Sequence, residues 1–156
     1  MDLLRLSIGS HDPATQILAN TILPVGVFNL SITPGDEIEK TNERMREHYQ
    51  GKWERRLMPR TVLVFINDDA AKAAEEAREA LSNYWRALEG TLDEEKVRRA
   101  TNNALVGDAA TIAVQMRERF DPADRLMLWF DFNNHDSKRV MKNMADFMEK
   151  VAPEFV

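Results

Sequence analysis

The chain has 156 residues, 44% of them hydrophobic and 30% charged, with a net charge of −5 and a pI near 5.3. This acidic balance, with both signs mixed along the chain, speaks against a nucleic-acid partner, whose phosphates need a basic patch. The absence of cysteine excludes disulfides and thiolate metal sites, and no apolar run is long enough to span a membrane.

The length predicts one domain, residues 1–156. The opening Met1-Asp2-Leu3-Leu4-Arg5 lacks the layout of a signal peptide, so the cytoplasm is the expected location. Leu3 to Ile8 predicts a strand that begins almost at Met1. The loop Gly9-Ser10-His11-Asp12-Pro13 follows, then a short helix from Ala14 to Thr21. Pro24 breaks the chain, and Val25 to Ile32 predicts a second strand, closed by the turn Thr33-Pro34-Gly35-Asp36. A charged helix over Glu37 to Gln50 has a thin apolar face of Ile38, Met45 and Tyr49. A loop with Lys52, Arg55 and Arg56 leads to a third strand, Thr61 to Asn67, apolar on both faces and so expected to be covered on both sides.

The helix predicted over Ala70 to Leu88 carries the clearest amphipathic stripe, running through Ala73, Ala77 and Leu81 to Trp85. A shorter polar helix over Leu92 to Asn103 follows. Asp108 should cap the next helix, which ends at Asp121-Pro122. Arg125 to Phe132 predicts a fourth strand. Leu126, Leu128, Phe130 and Phe132 suit a helix layer, and Arg125, Met127, Trp129 and Asp131 suit the opposite face. The last helix, Asp136 to Ala152, is expected to bury Val140, Met141, Met144, Phe147, Met148 and Val151. Strand–helix alternation of this kind predicts an α/β protein with parallel β/α units.

Several stretches carry a family pattern. Val106-Gly107-Asp108 opens a helix, an apolar strand follows, and the final helix has Met144, Phe147, Val151 and Pro153 at fixed spacing. Upstream come Ile8-Gly9-Ser10, the Ala-containing helix to Asn20, the Leu23-Pro24 step into a strand, and a long Ala/Glu-rich helix after Asn67. In order and spacing this resembles the C-terminal half, strands five to eight, of the bacterial-luciferase-like, flavin-dependent monooxygenases. The resemblance implies half of a TIM-like (β/α)8 barrel, whose complete form needs eight strands and about 250 residues. It implies FMN as cofactor and a reaction of reduced flavin with oxygen on an organic substrate. The expected partners are a second copy of the chain, a separate N-terminal barrel half or a flavin reductase. The same family includes a shortened flavoprotein that dimerises. A non-catalytic half-barrel that dimerises and binds flavin weakly or not at all is therefore the alternative reading.

By the same resemblance, Ser10 stands where the family places a serine against the flavin phosphate, with Thr15 as a second donor. A hydroxyl beside a helix N-terminus suits an anion, although Ser10 and Asp12 can equally serve as caps. His11, in the same loop, is a candidate acid or base, or an ordinary loop histidine. Trp129 and Asp131 fall at the C-terminal end of the last strand, where barrels place ligands. Trp129 is then a cofactor-binding candidate and Asp131 a catalytic one; core packing is the other reading of Trp129. His11, His48 and His135 are far apart in sequence and show no metal-ligand spacing. A half-barrel would also leave an apolar face near Met127, Trp129, Leu63 and Val64 for a partner to cover.

Overall fold

The computed structural model describes residues 5–87, 89–91, 93–131 and 136–155. The elements in chain order are β1 (Ser7–Ile8), α1 (Pro13–Ile22), β2 (Gly26–Val27), α2 (Gly35–His48), β3 (Arg60–Ile66), α3 (Ala70–Ala87), α4 (Glu94–Asn103), β4 (Leu105–Gly107), α5 (Ala109–Arg119), β5 (Leu126–Trp129) and α6 (Ser137–Lys150). Short 3-10 turns occupy Arg55–Leu57 and Ala152–Glu154. Among the described residues no helix is long and apolar enough to cross a membrane.

The fold is mixed α/β, and the expected half of a TIM barrel is not there. Among the described residues the strands fall into two small parallel sheets, β1-β2 and β4-β3-β5, and no barrel forms. The second predicted strand is the reason on the sequence side. Only Gly26 and Val27 pair with Ser7 and Ile8. Beyond them Asn29 makes a single parallel bridge to Arg60, and the chain then turns, with the Thr33 amide donating to the Leu30 carbonyl at 3.0 Å. The polar residues Asn29 and Ser31 interrupt the apolar run that had suggested a strand to Ile32. β4 was not expected at all: three residues at the start of the family-like segment pair in parallel with Val64 to Ile66.

The chain packs as two compact units, residues 1–61 with 123–127, and 62–122 with 128–156. In the first, Val27, Ile38, Met45 and Met58 form a buried core, with Tyr49 and Trp53 packed against it. Each such side chain contributes on the order of 1.5–3 kcal/mol. Gly26 is required here, because a Cβ would lie 2.3 Å from the Leu57 carbonyl oxygen. In the second unit, Leu63 and Phe65 of β3 pack on Ala77, Ala80 and Leu81 of α3, with Ala104. Leu63 and Val64 are fully buried, so they do not belong to an exposed apolar face. Asp108 caps α5 as expected, its carboxylate accepting from the Thr111 amide at 2.8 Å. Gly107 before it has φ +147°, and a Cβ would meet Thr111 at 2.8 Å.

α6 departs from the expected stripe. Phe147 and Val151 are buried, but Met141, Met144 and Met148 are 70%, 48% and 63% exposed. Asn143 and Asp146 take the buried positions instead. Lys142 and Lys150 both reach the Asp146 carboxylate, which makes its burial tolerable. Leu126 and Leu128 on β5, and Phe130 just after it, are half-buried, and the Phe130 ring meets Phe147 edge-on at 5.7 Å. Met127 and Trp129 are exposed.

Candidate functional site

The residues singled out at the C-terminal end of β1 do come together. Asp12 is the N-cap of α1: its Oδ2 accepts from the Thr15 amide at 2.7 Å and from the Thr15 hydroxyl at 2.6 Å. The Ser10 Oγ accepts from the Asp12 amide at 3.2 Å. The Thr15 hydroxyl, then the Thr15 amide, hold the Asp12 carboxyl below its ordinary pKa. Pro13 supplies no amide to this helix turn.

His11 stands beside this cap. Its Nε2 lies 3.2 Å from the Thr33 hydroxyl. Its Nδ1 is buried without a hydrogen-bond partner among the described residues. Burial lowers the imidazole pKa from 6.5. The Glu37 carboxylate opposes that shift and the Arg44 guanidinium adds to it. The side chain is therefore a neutral imidazole at neutral pH, able to take a proton only on acidification.

Beneath the loop lies a buried polar layer that the sequence reading missed. Gln16 is fully buried: its Nε2 donates to the Ser10 carbonyl at 2.8 Å, and its Oε1 accepts from Arg44 at 2.6 Å. Asn20, one turn on, exchanges hydrogen bonds with the Val25 backbone, donating at 3.4 Å and accepting at 3.3 Å. The signal was present. Gln16 and Asn20 are four residues apart, and so are Leu18 and Ile22, so α1 has two competing faces. It buries the polar one and leaves Leu18 and Ile22 63% and 70% exposed. Asn29, two residues beyond β2, is also fully buried, with neither side-chain amide atom hydrogen-bonded among the described residues.

The remaining candidates belong to the other compact unit. Trp129 is 45% exposed on β5, which speaks against core packing as its role. Asp131 lines a depression of about 220 Å³ with Ser137, Val140 and Met141. His135 lies outside the described residues.

A flavin phosphate can be tested against the first group. A phosphate at the α1 terminus would need the Thr15 amide and hydroxyl and the Ser10 hydroxyl. Both Thr15 donors already serve Asp12, and the carboxylate occupies the position an anion would take. Ser10, Asp12 and Thr15 as arranged therefore do not fit a phosphate dianion.

No protein-family profile and no curated protein sequence matches the chain. Solved structures do. The chain matches monooxygenase RslO1 from Streptomyces bottropensis with a TM-score of 0.77 at 19% identity, over 97% of this chain and 48% of that one. It matches apo-MsnO8 with a TM-score of 0.58 at 12% identity, over 94% of this chain and 51% of that one. What is shared is the fold. The chain spans about half the length of each of these structures.

Proposed function

We propose that the chain belongs to a monooxygenase-type oxidoreductase of the luciferase-like, FMN-using kind, and that it does not hold FMN tightly by itself. The observation that carries the first part is the structural match to monooxygenase RslO1 along nearly the whole of this chain. The Val106-Gly107-Asp108 opening of α5 agrees with that reading. The second part rests on Asp12, which takes the place of an anion at the α1 terminus. Flavin, when bound, supplies the oxygen chemistry. Within the first compact unit the chain supplies a neutral imidazole at His11, beside the α1 cap.

A further polypeptide surface completes the assembly on this reading, most simply a second copy of the chain. Exposed apolar side chains support it: Met127 and Trp129 on β5, and Met141, Met144 and Met148 along one side of α6. Monomers seldom leave such stripes uncovered. Size exclusion with light scattering, run with and without FMN, tests both parts. The expected result is a particle of about 36 kDa, twice the 17.9 kDa chain, that elutes without flavin. A 17.9 kDa monomer that carries stoichiometric FMN would overturn the reading.

A further inference from the structure

We infer that the first compact unit contains an anion-binding cleft, separate from the Ser10 loop, that takes a small organic phosphate. The cleft has a volume of about 410 Å³. That lies within the range of ordinary ligand pockets, roughly 300–1,000 Å³. Arg5, Lys52, Arg56 and Arg125 line it, with Glu54 as the single carboxylate. It lies at the N-terminal side of β1, where Arg5 precedes the strand, whereas Ser10 follows the strand's other end.

The charge arithmetic favours a ligand. Four cations less one carboxylate give +3 around this cleft, on a chain whose net charge is −5. A basic loop at Lys52 to Arg56 could by itself be a solvated surface. Here, however, the cations come from three separate segments, residue 5, residues 52–56 and residue 125, and converge on one concavity. Glu54 answers two of them, reaching Lys52 at 3.4 Å and also pairing with Arg56. Neither Arg5 nor Arg125 has an ion-pair partner among the described residues. Like charges gathered without counter-charges repel, and a bound dianion removes that cost while making charge-assisted hydrogen bonds. Guanidinium groups suit a phosphoryl group because they present paired N–H donors in one plane. The rest of the lining is mixed: Ser7 and Gln50 offer neutral hydrogen-bonding groups, while Leu6, Leu57 and Tyr49 give apolar surface for a compact organic body. Gly26 forms part of the wall, packed against the Leu57 carbonyl.

The test is titration of the full chain with inorganic pyrophosphate by calorimetry at low ionic strength, with amide NMR shifts recorded in parallel. One saturable site is expected, with the largest shifts at Gly26, Tyr49 and Gly51. Arg125→Glu should weaken binding by at least ~10-fold, about 1.4 kcal/mol. The backbone carbonyl of Arg125, which accepts from the Arg60 amide, is unaffected by that change. Arg98→Glu on exposed α4 alters net charge equally and should leave affinity within ~2-fold, because distant surface charges are screened. Arg125→Gln serves where the charge reversal fails to fold, and should weaken binding in the same direction. Three results would overturn the inference: no saturable binding, equal loss in Arg125→Glu and Arg98→Glu, or shifts centred on Ser10 and Thr15. Failure of FMN binding at the Ser10 loop leaves this outcome untouched, since the two sites differ in residues and in probe.

Discussion

Removal of the Asp124 carboxylate should be among the most damaging single changes in the first compact unit. Its side chain is 1% exposed. Arg55 Nε and Arg60 Nη1 both donate to it, the latter at 2.9 Å, and these side chains are only 12% and 15% exposed. Arg55 also grips Glu39 through two N–H groups, at 2.8 and 2.5 Å. Asp124→Ala deprives two largely buried guanidinium groups of a shared acceptor, while the Glu39 side chain is 54% exposed and compensates weakly. Loss of one partner of a buried ion pair costs about 3–5 kcal/mol, a large share of the ~5–15 kcal/mol that holds a domain folded. With a urea slope of about 2 kcal/mol per molar, the unfolding midpoint should fall by roughly 1.5–2.5 M. Urea unfolding followed by circular dichroism measures this directly. Asp124→Asn keeps an acceptor and should lose less. A loss for Asp124→Ala below ~1 kcal/mol, the level of a surface ion pair, would refute the reasoning.

Gly26→Ala should destabilise the first unit by unfolding assay, since the new Cβ meets a backbone carbonyl at 2.3 Å that cannot step aside cheaply. NMR titration of His11 should give a pKa below 6.5, lower still in Glu37→Gln. The stability this adds is complete above pH 6.5 and is lost as pH falls through the folded-state pKa, because the unfolded imidazole binds its proton first. Glu39 has its pKa lowered from 4.5, chiefly by its hydrogen bonds with Arg55. Its contribution is present above pH 4.5 and disappears on acidification below that, which a pH series of melting temperatures would show. Met144→Glu with Met148→Glu should shift light-scattering mass towards the monomer without loss of helicity; an unchanged dimer would remove α6 from the interface.

Helix positions were legible because their ends carry capping chemistry. Asp12, Asp93, Asp108 and Asp136 each accept amides of the first turn of the helix they precede. β3 was legible because five successive apolar residues, Val62 to Ile66, are all buried. Other features were hidden for physical reasons. A strand of three residues such as β4 has too little pattern to detect. α1 reads as weakly amphipathic in either direction until Arg44 and the Ser10 carbonyl, far apart in sequence, satisfy Gln16. On α6 the methionines suggested an apolar stripe, yet the paired lysines allow Asp146 to be buried and turn that stripe outward. The barrel expectation failed at β2, where pairing stops after the single bridge at Asn29 and the chain turns at Leu30 to Thr33.

In sequence Ser10 and Thr15 read either as anion donors or, with Asp12, as helix caps, and the competition between those roles is visible only in the geometry. Ser10 and Thr15 are the right residue types for an anion, and Asp12 between them already fills that role. The most direct measurement is therefore a titration of FMN fluorescence with the intact chain and with Asp12→Asn, which keeps a capping oxygen and removes the charge. The intact chain should show no tight, stoichiometric quenching of FMN, and affinity should rise in the Asp12→Asn variant. Tight, stoichiometric quenching by the intact chain, unaffected by the substitution, would contradict it.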